Sequence, residues 1–234
     1  MKPEPRNIAV FDLDGTLVNT APDLLDSLNH SLGEGGLAAV AAQGFEAVLG
    51  RGGREMIRAA HAAQQRALSA ESLERLYGLF LDHYAENIPG RSLPYPGVVK
   101  ALDRLASAGY LLAICTNKTE RLAHALMKGL DLERRFAAIC GADTFSHAKP
   151  DPLHLTETIA MAGGDPRKAV MIGDSKTDID TAKAAGIPVV AVDFGFTDRH
   201  VSTFGPSKVI SHYDELTVEL TDRLIASANG APHA

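Results

Sequence analysis

From Tyr95 to the C-terminus, short apolar runs alternate with stretches whose apolar residues recur at helical spacing, the pattern of a parallel sheet covered by helices. A parallel strand is buried on both faces, so it reads as an unbroken apolar run rather than as an alternation. Runs of this kind lie at 111–115, 137–140, 169–172, 188–192 and 208–210, and one more, 8–11, stands near the N-terminus. Between them Val98, Leu102 and Leu105 form a helical stripe stopped by Gly109. Leu122 and Leu126 form a second before Gly129, and Ala182 to Ala185 continue a third ended by Gly186. The fold class predicted is α/β, a doubly wound, Rossmann-like parallel sheet.

Between the first run and Tyr95 the pattern is nearly all helical for about 75 residues, far beyond an ordinary crossover. The spacing predicts an all-helical cap over 19–93 inserted into a core made of 1–18 and 94–234, and a chain of 234 residues is long enough for both. The first cap helix is expected to start at Thr20 as N-cap, with Pro22 in its first turn and Asp23 three residues after the cap. Leu24, Leu25, Leu28 and Leu32 supply its apolar face, and Pro94-Tyr95-Pro96-Gly97 marks the return to the core. In a parallel sheet both joins fall near the end of the first strand, where the cap can close over whatever sits there. The tail 226–234 is expected to fray.

What sits there is Asp12-Leu13-Asp14-Gly15-Thr16. Side chains at i and i+2 of a strand share a face, so the two carboxylates point one way and Leu13 points into the core. Like charges that close raise one another's pKa unless a cation or a shared proton compensates. The other strand ends are polar as well: Thr116-Asn117 follows the second run, Lys149-Pro150 lies in a loop after the third, and Gly173-Asp174, with Asp178 beyond, ends the fourth. Singly, each of these is an ordinary helix cap or turn residue. Ligands of open α/β sheets collect at the carboxyl ends of the strands, and independent capping does not bring a hydroxyl, an amide, an ammonium and several carboxylates to one edge.

Phosphoryl transfer is a reaction that uses all of them. The carboxylates can hold Mg2+, a hard cation that prefers oxygen ligands. One carboxylate can then attack phosphorus, while Thr116, Asn117 and Lys149 hold the non-bridging oxygens and Asp14 moves the proton of the leaving group. The net charge of −6 and the lack of a Lys/Arg run argue against nucleic acid or an anionic membrane surface as partner. A small phosphorylated metabolite fits better. Cys115 and Cys140 form no Cys-x-x-Cys pair and suit buried reduced thiols. With no signal-like N-terminus and no apolar run long enough to span a bilayer, a cytoplasmic location is expected.

Taken together, Asp12-Leu13-Asp14-Gly15-Thr16, Thr116-Asn117, Lys149-Pro150 and Gly173-Asp174-Ser175-Lys176-Thr177-Asp178 resemble, in order, the motifs of the haloacid dehalogenase-like phosphatases. Within them the chain is similar to the phosphoglycolate phosphatase-like group with a helical cap. The resemblance implies that Asp12 is the nucleophile that becomes an aspartyl-phosphate and Asp14 the general acid and base. It also implies that Thr116 and Lys149 bind the transferring phosphoryl group. Mg2+ would be held by Asp12, the backbone carbonyl of Asp14 and Asp174, with Asp178 in support.

The acid two positions after the nucleophile sets the chain apart from the dehalogenases. The absence of lysine between Lys2 and Lys100 sets it apart from the phosphonate hydrolases, which need a cap lysine. In the cap, Gly50-Arg51-Gly52-Gly53 lies between two helical patterns and resembles the substrate-facing loop of the phosphoglycolate phosphatase-like group. A helix N-terminus preceded by glycines offers free N–H donors, and Arg51 offers a fork for a carboxylate. Gly50, Arg51 and Gly52 are therefore candidate substrate-binding residues, and 2-phosphoglycolate is the expected substrate. A sugar-phosphate phosphatase, a hexose-phosphate mutase and a pyrophosphatase are the alternatives within the superfamily, and a phospho-accepting receiver domain is the alternative outside catalysis. The inserted cap and the position of the nucleophile on the first strand speak against a receiver.

Overall fold

The computed structural model describes residues 6–43 and 45–230. β1 (Ile8–Phe11) leads through a tight turn to the two-residue β2 (Val18–Asn19) and then to the helices α1 (Ala21–Glu34), α2 (Glu46–Leu49), α3 (Gly53–Ala63) and α4 (Ala70–Asn87). The chain returns through β3 (Leu93–Pro94) to α5 (Val98–Ser107), β4 (Leu111–Cys115), α6 (Glu120–Gly129) and β5 (Ala138–Cys140). It ends with α7 (Pro152–Met161), β6 (Ala169–Gly173), α8 (Lys176–Ala184), β7 (Val189–Val192), β8 (Lys208–Ile210) and α9 (Val218–Gly230).

The six apolar runs form one sheet in the order β5-β4-β1-β6-β7-β8, with every neighbouring pair parallel. Alternate residues of each strand face opposite layers. Ala9, Phe11, Leu112, Ile114, Val170 and Ile172 pack with Leu102 and Leu105 of α5, Leu126 of α6 and Ile225 of α9. Ile8, Val10, Ala113, Cys115 and Met171 pack with Leu155 and Ile159 of α7 and Ile179 of α8. The expected doubly wound α/β core is therefore present. After β1 the chain builds β4 and β5 on one side and then β6, β7 and β8 on the other. The switch in direction falls at β1, where a crevice opens beyond the strand ends.

Helices α1, α3 and α4 pack around a separate core of Leu28, Leu32, Met56, Ile57, Leu76 and Phe80, into which Leu122 and Phe196 also insert. Two residues expected in an all-helical segment are extended instead: Asn19 pairs with Leu93, and Val18 with Pro94, in an antiparallel ribbon at the join. A two-residue strand is too short to show a periodic pattern. Thr20 stands at the N-cap of α1 but makes no capping bond, and its buried hydroxyl has no partner. Asn19 Oδ1 accepts from the Ala21 N–H in its place. Asp23 reaches across to the returning chain, where it accepts from the backbone N–H groups of Arg91 and Ser92. The tail is ordered further than expected, because Leu220 and Ile225 are buried and Asn229 donates to the Arg167 carbonyl, which keeps 226–230 helical. Residues 231–234 lie outside the described set. Cys115 and Cys140 are free thiols, paired in register on β4 and β5. No described helix is long and apolar enough to cross a membrane.

Candidate active site

The turn after β1 is held by backbone bonds from Leu17 and Val18 to the Leu13 carbonyl and from Gly15 to that of Val18. Leu13 is buried, as the i, i+2 geometry demands. Gly15 takes φ of +81°, and a Cβ there would lie 2.5 Å from Asp174 Oδ2. Only glycine satisfies both conditions, so this turn lets the end of β6 approach the end of β1.

Three carboxylates gather at that approach. Asp12, Asp174 and Asp178 each place an oxygen within 4.8 Å of the others, and all three are buried. Asp174 accepts from Thr16 Oγ1 at 2.8 Å and from the Phe196 N–H at 2.7 Å. Asp178 closes a capping box with Ser175 at the start of α8, accepting from the Ser175 N–H and hydroxyl through Oδ2. Its Oδ1 accepts from Lys149 Nζ at 2.5 Å. Lys149 Nζ also lies 2.9 Å from Asp12 Oδ1, yet that buried oxygen accepts no aligned hydrogen bond. Burial, opposed by Lys149 and aided by the charge of Asp178, pushes the Asp12 carboxyl up to about 6. Burial and then the charges of Asp178 and Asp12 raise Asp174 well above the carboxylate range. Carboxylates under this strain suit a cation among them.

Asp14 is not part of that cluster. Its carboxylate accepts two bonds from Lys118 Nζ, at 3.0 and 2.9 Å. The compensation that the Asp12/Asp14 spacing requires is therefore split: Lys149 serves the first carboxylate and Lys118 the second. Lys118 is a site residue that sequence reasoning missed, although it directly follows Thr116-Asn117 in the loop after β4. Thr16 is the other, since the motif that contains it gave it no role.

Asn117, expected to hold substrate oxygens, instead brackets the Lys149 backbone: its Oδ1 accepts from the Lys149 N–H at 3.0 Å and its Nδ2 donates to the Lys149 carbonyl at 2.9 Å. This fixes the loop that presents the lysine. Thr116 is buried, with its N–H on the Cys140 carbonyl and its hydroxyl accepting from the Lys118 N–H.

Above these residues lies a cavity of about 350 Å³ shared by core and cap. Asp12, Asp14, Thr116, Lys118 and Asp174 line one wall; Leu49, Met56, Tyr77, Phe80 and Tyr84 line the other. Gly50, Arg51, Gly52 and Gly53 line it as well. The N-terminus of α3 has no side-chain cap. A Cβ on Gly53 would stand 2.8 Å from the Tyr77 ring and 2.9 Å from that of Phe80, so the loop can come this close to α4 only as glycine. Arg51 does not point a free fork at the cavity. Its side chain is 55% exposed and paired with Asp198 at 2.9 Å.

Residues 9–192 match the family described as haloacid dehalogenase-like hydrolase. A phosphoglycolate phosphatase of Mesorhizobium japonicum is 66% identical over 95% of this chain and 98% of its own length. One of Agrobacterium fabrum is 44% identical over 96% of each chain. Among solved structures, a predicted phosphoglycolate phosphatase from Haemophilus somnus superposes with a TM-score of 0.83 at 25% identity, covering 92% of this chain and 98% of that one.

Proposed function

This chain belongs to the haloacid dehalogenase-like hydrolases, and from that membership we propose that it is a Mg2+-dependent phosphatase that hydrolyses 2-phosphoglycolate to glycolate and phosphate. The observation that carries the reading is the buried cluster of Asp12, Asp174 and Asp178, with Lys149 Nζ 2.9 Å from Asp12 Oδ1, beside a cavity that Asp12 and Asp174 line at the switch point of the sheet. Carboxylates buried this close are costly without a compensating cation, and Asp12, which lines the cavity, is placed to attack an electrophile there.

The carboxylate cluster fits a divalent cation by its donor set, three buried carboxylates with oxygens within 4.8 Å of one another. Asp12, Asp174 and the backbone carbonyl of Asp14 would hold it. Asp178, with both oxygens already bonded to Ser175 and Lys149, supports from behind. When bound, the ion supplies positive charge that lets a phosphate dianion approach a carboxylate.

In the first half-reaction an Asp12 carboxylate oxygen forms a bond to phosphorus as the bond from phosphorus to the glycolate oxygen breaks. Asp14 gives its proton to that departing oxygen. Lys149 offsets charge on Asp12 and, with the Thr116 hydroxyl, on the transferring oxygens. In the second half a water oxygen attacks phosphorus, its proton passes to Asp14, and Asp12 leaves as a carboxylate with phosphate as product. The cap, which covers one side of the site, limits the access of other water during the first half.

A screen of phosphomonoesters in Mg2+, ranked by kcat/KM, tests the substrate. Phosphoglycolate is expected at the top. Hexose phosphates far above it, or isomerisation of a glucose phosphate, would overturn the assignment.

A further inference from the structure

We propose that Lys118 and Tyr84 together form the subsite for the substrate's carboxylate, so that a contact joining core to cap is also the place where an acid is recognised. The inference rests on the phosphatase reading and adds the chemistry that selects among phosphomonoesters.

Two cations line the cavity among the described residues, Arg51 and Lys118. Arg51 is half exposed and engaged with Asp198. Lys118 is enclosed, its side chain only 5% exposed, and its ammonium already holds a carboxylate in two-oxygen fashion, that of Asp14. The ammonium also lies 4.4 Å from the centroid of the Tyr84 ring on α4. Desolvated cation–aromatic contacts of this kind hold the amine in place.

Tyr84 adds an independent observation. It is among the residues that line the same cavity, and its hydroxyl is buried and has no hydrogen-bond partner. An orphaned buried hydroxyl is disfavoured unless something else fills its need. Burial pushes this phenol up to about 12, which keeps it a neutral O–H donor at ordinary pH. Of the rest of the cap wall, Leu49, Met56 and Phe80 offer an anion no donor.

The chemistry of a 2-phospho acid fits this arrangement. Its carboxylate is separated from the ester oxygen by a single carbon. The ester oxygen is the atom that Asp14 must reach, and Lys118 is bonded to Asp14. A carboxylate one carbon away from that oxygen therefore falls beside the Lys118 ammonium, with the Tyr84 hydroxyl on the cap side to donate a second bond to it. A neutral ester leaves both unanswered, and discrimination follows from the unpaired polar groups.

The test compares kcat/KM for 2-phosphoglycolate with that for ethyl phosphate, in which a methyl replaces the carboxylate, across wild type, Tyr84→Phe and Lys118→Met. The wild type is expected to favour phosphoglycolate. The ratio should fall roughly 10-fold in Tyr84→Phe, chiefly through KM, and roughly 10- to 100-fold in Lys118→Met, where kcat also falls for both esters because Asp14 loses its partner. Calorimetric binding of the two esters to Asp12→Asn and to Asp12→Asn/Tyr84→Phe should show the same loss of preference without turnover. If Lys118→Met fails to fold by circular dichroism, Tyr84→Phe decides alone. A preference left unchanged by the variants, or a wild type that treats both esters alike, overturns the subsite and leaves the phosphatase standing. Phosphate release from neither ester overturns the phosphatase reading and this inference with it.

Discussion

The two walls of the cavity are built on opposite principles. The core wall is charged and anchored: Asp174 is held by Thr16 and Phe196, Asp178 by Ser175 and Lys149, and Asp14 by Lys118. The cap wall is apolar, with Tyr77, Phe80 and Tyr84 stacked along α4 at centroid spacings of 6.3 and 6.2 Å. Groups that do chemistry must be held in one geometry by partners of their own. A wall that excludes water and shapes the pocket needs only fit. The division assigns the reaction to the strand ends and the choice of substrate to the cap and the residues that touch it.

Changes on the core wall should therefore remove turnover, and changes on the cap wall should shift preference. The largest effect is expected from Asp12→Asn, which keeps the shape and lowers kcat by roughly 10,000-fold or more with an unchanged circular dichroism spectrum. Near-normal turnover in that variant would break the division at its base. Thr16→Val removes the hydroxyl donated to Asp174, and the Mg2+ concentration for half-maximal activity should rise about 10-fold. No change in that titration would remove Thr16 from the support of the cluster.

Gly53→Val forces a side chain against Tyr77 and Phe80. Thermal unfolding should show a loss of about 1–3 kcal/mol, and KM should rise more than kcat falls. A loss in kcat alone would assign the loop to chemistry and blur the distinction between walls.

His154 lies under the core wall, buried, with neither ring nitrogen bonded. Burial, then the charge of Lys149, pushes it from the ordinary 6.5 down to about 4. Between those values the unfolded chain binds more protons than the folded one, so stability falls as pH drops through 6.5 and levels off below 4. His154→Gln should flatten that slope by on the order of 1 kcal/mol, as read from denaturant midpoints at successive pH values. The smallest effect is expected from Arg51→Ala, a change of about 2- to 3-fold in KM, because its pair with Asp198 is exposed.

How much of this was legible in the sequence follows from what each feature depends on. The parallel strands stood out because burial on both faces leaves an unbroken apolar run, and the polar residues that end those runs fall where the site is. The β2–β3 ribbon did not, since two residues carry no period. Lys118 was missed because a lysine after a strand reads by default as solvated, and only the place where α4 lays Tyr84 over it turns it inward. Arg51 does line the cavity, but its fork is taken up by Asp198, which follows β7 far along the chain. Asn117 likewise looked free until the loop bearing Lys149 folded onto it. Identity at a strand end is written locally, whereas the partner that uses up a side chain is a tertiary fact.

Transfer of the phosphoryl group to Asp12 is the claim on which the rest depends, and acid-quenched enzyme mixed with 2-phosphoglycolate and Mg2+ tests it directly by peptide mass spectrometry. The peptide containing Asp12 should carry one phosphoryl group that hydroxylamine removes, and the Asp12→Asn protein should carry none. A phosphoryl group on any other residue, or turnover with none on the enzyme, would contradict the account.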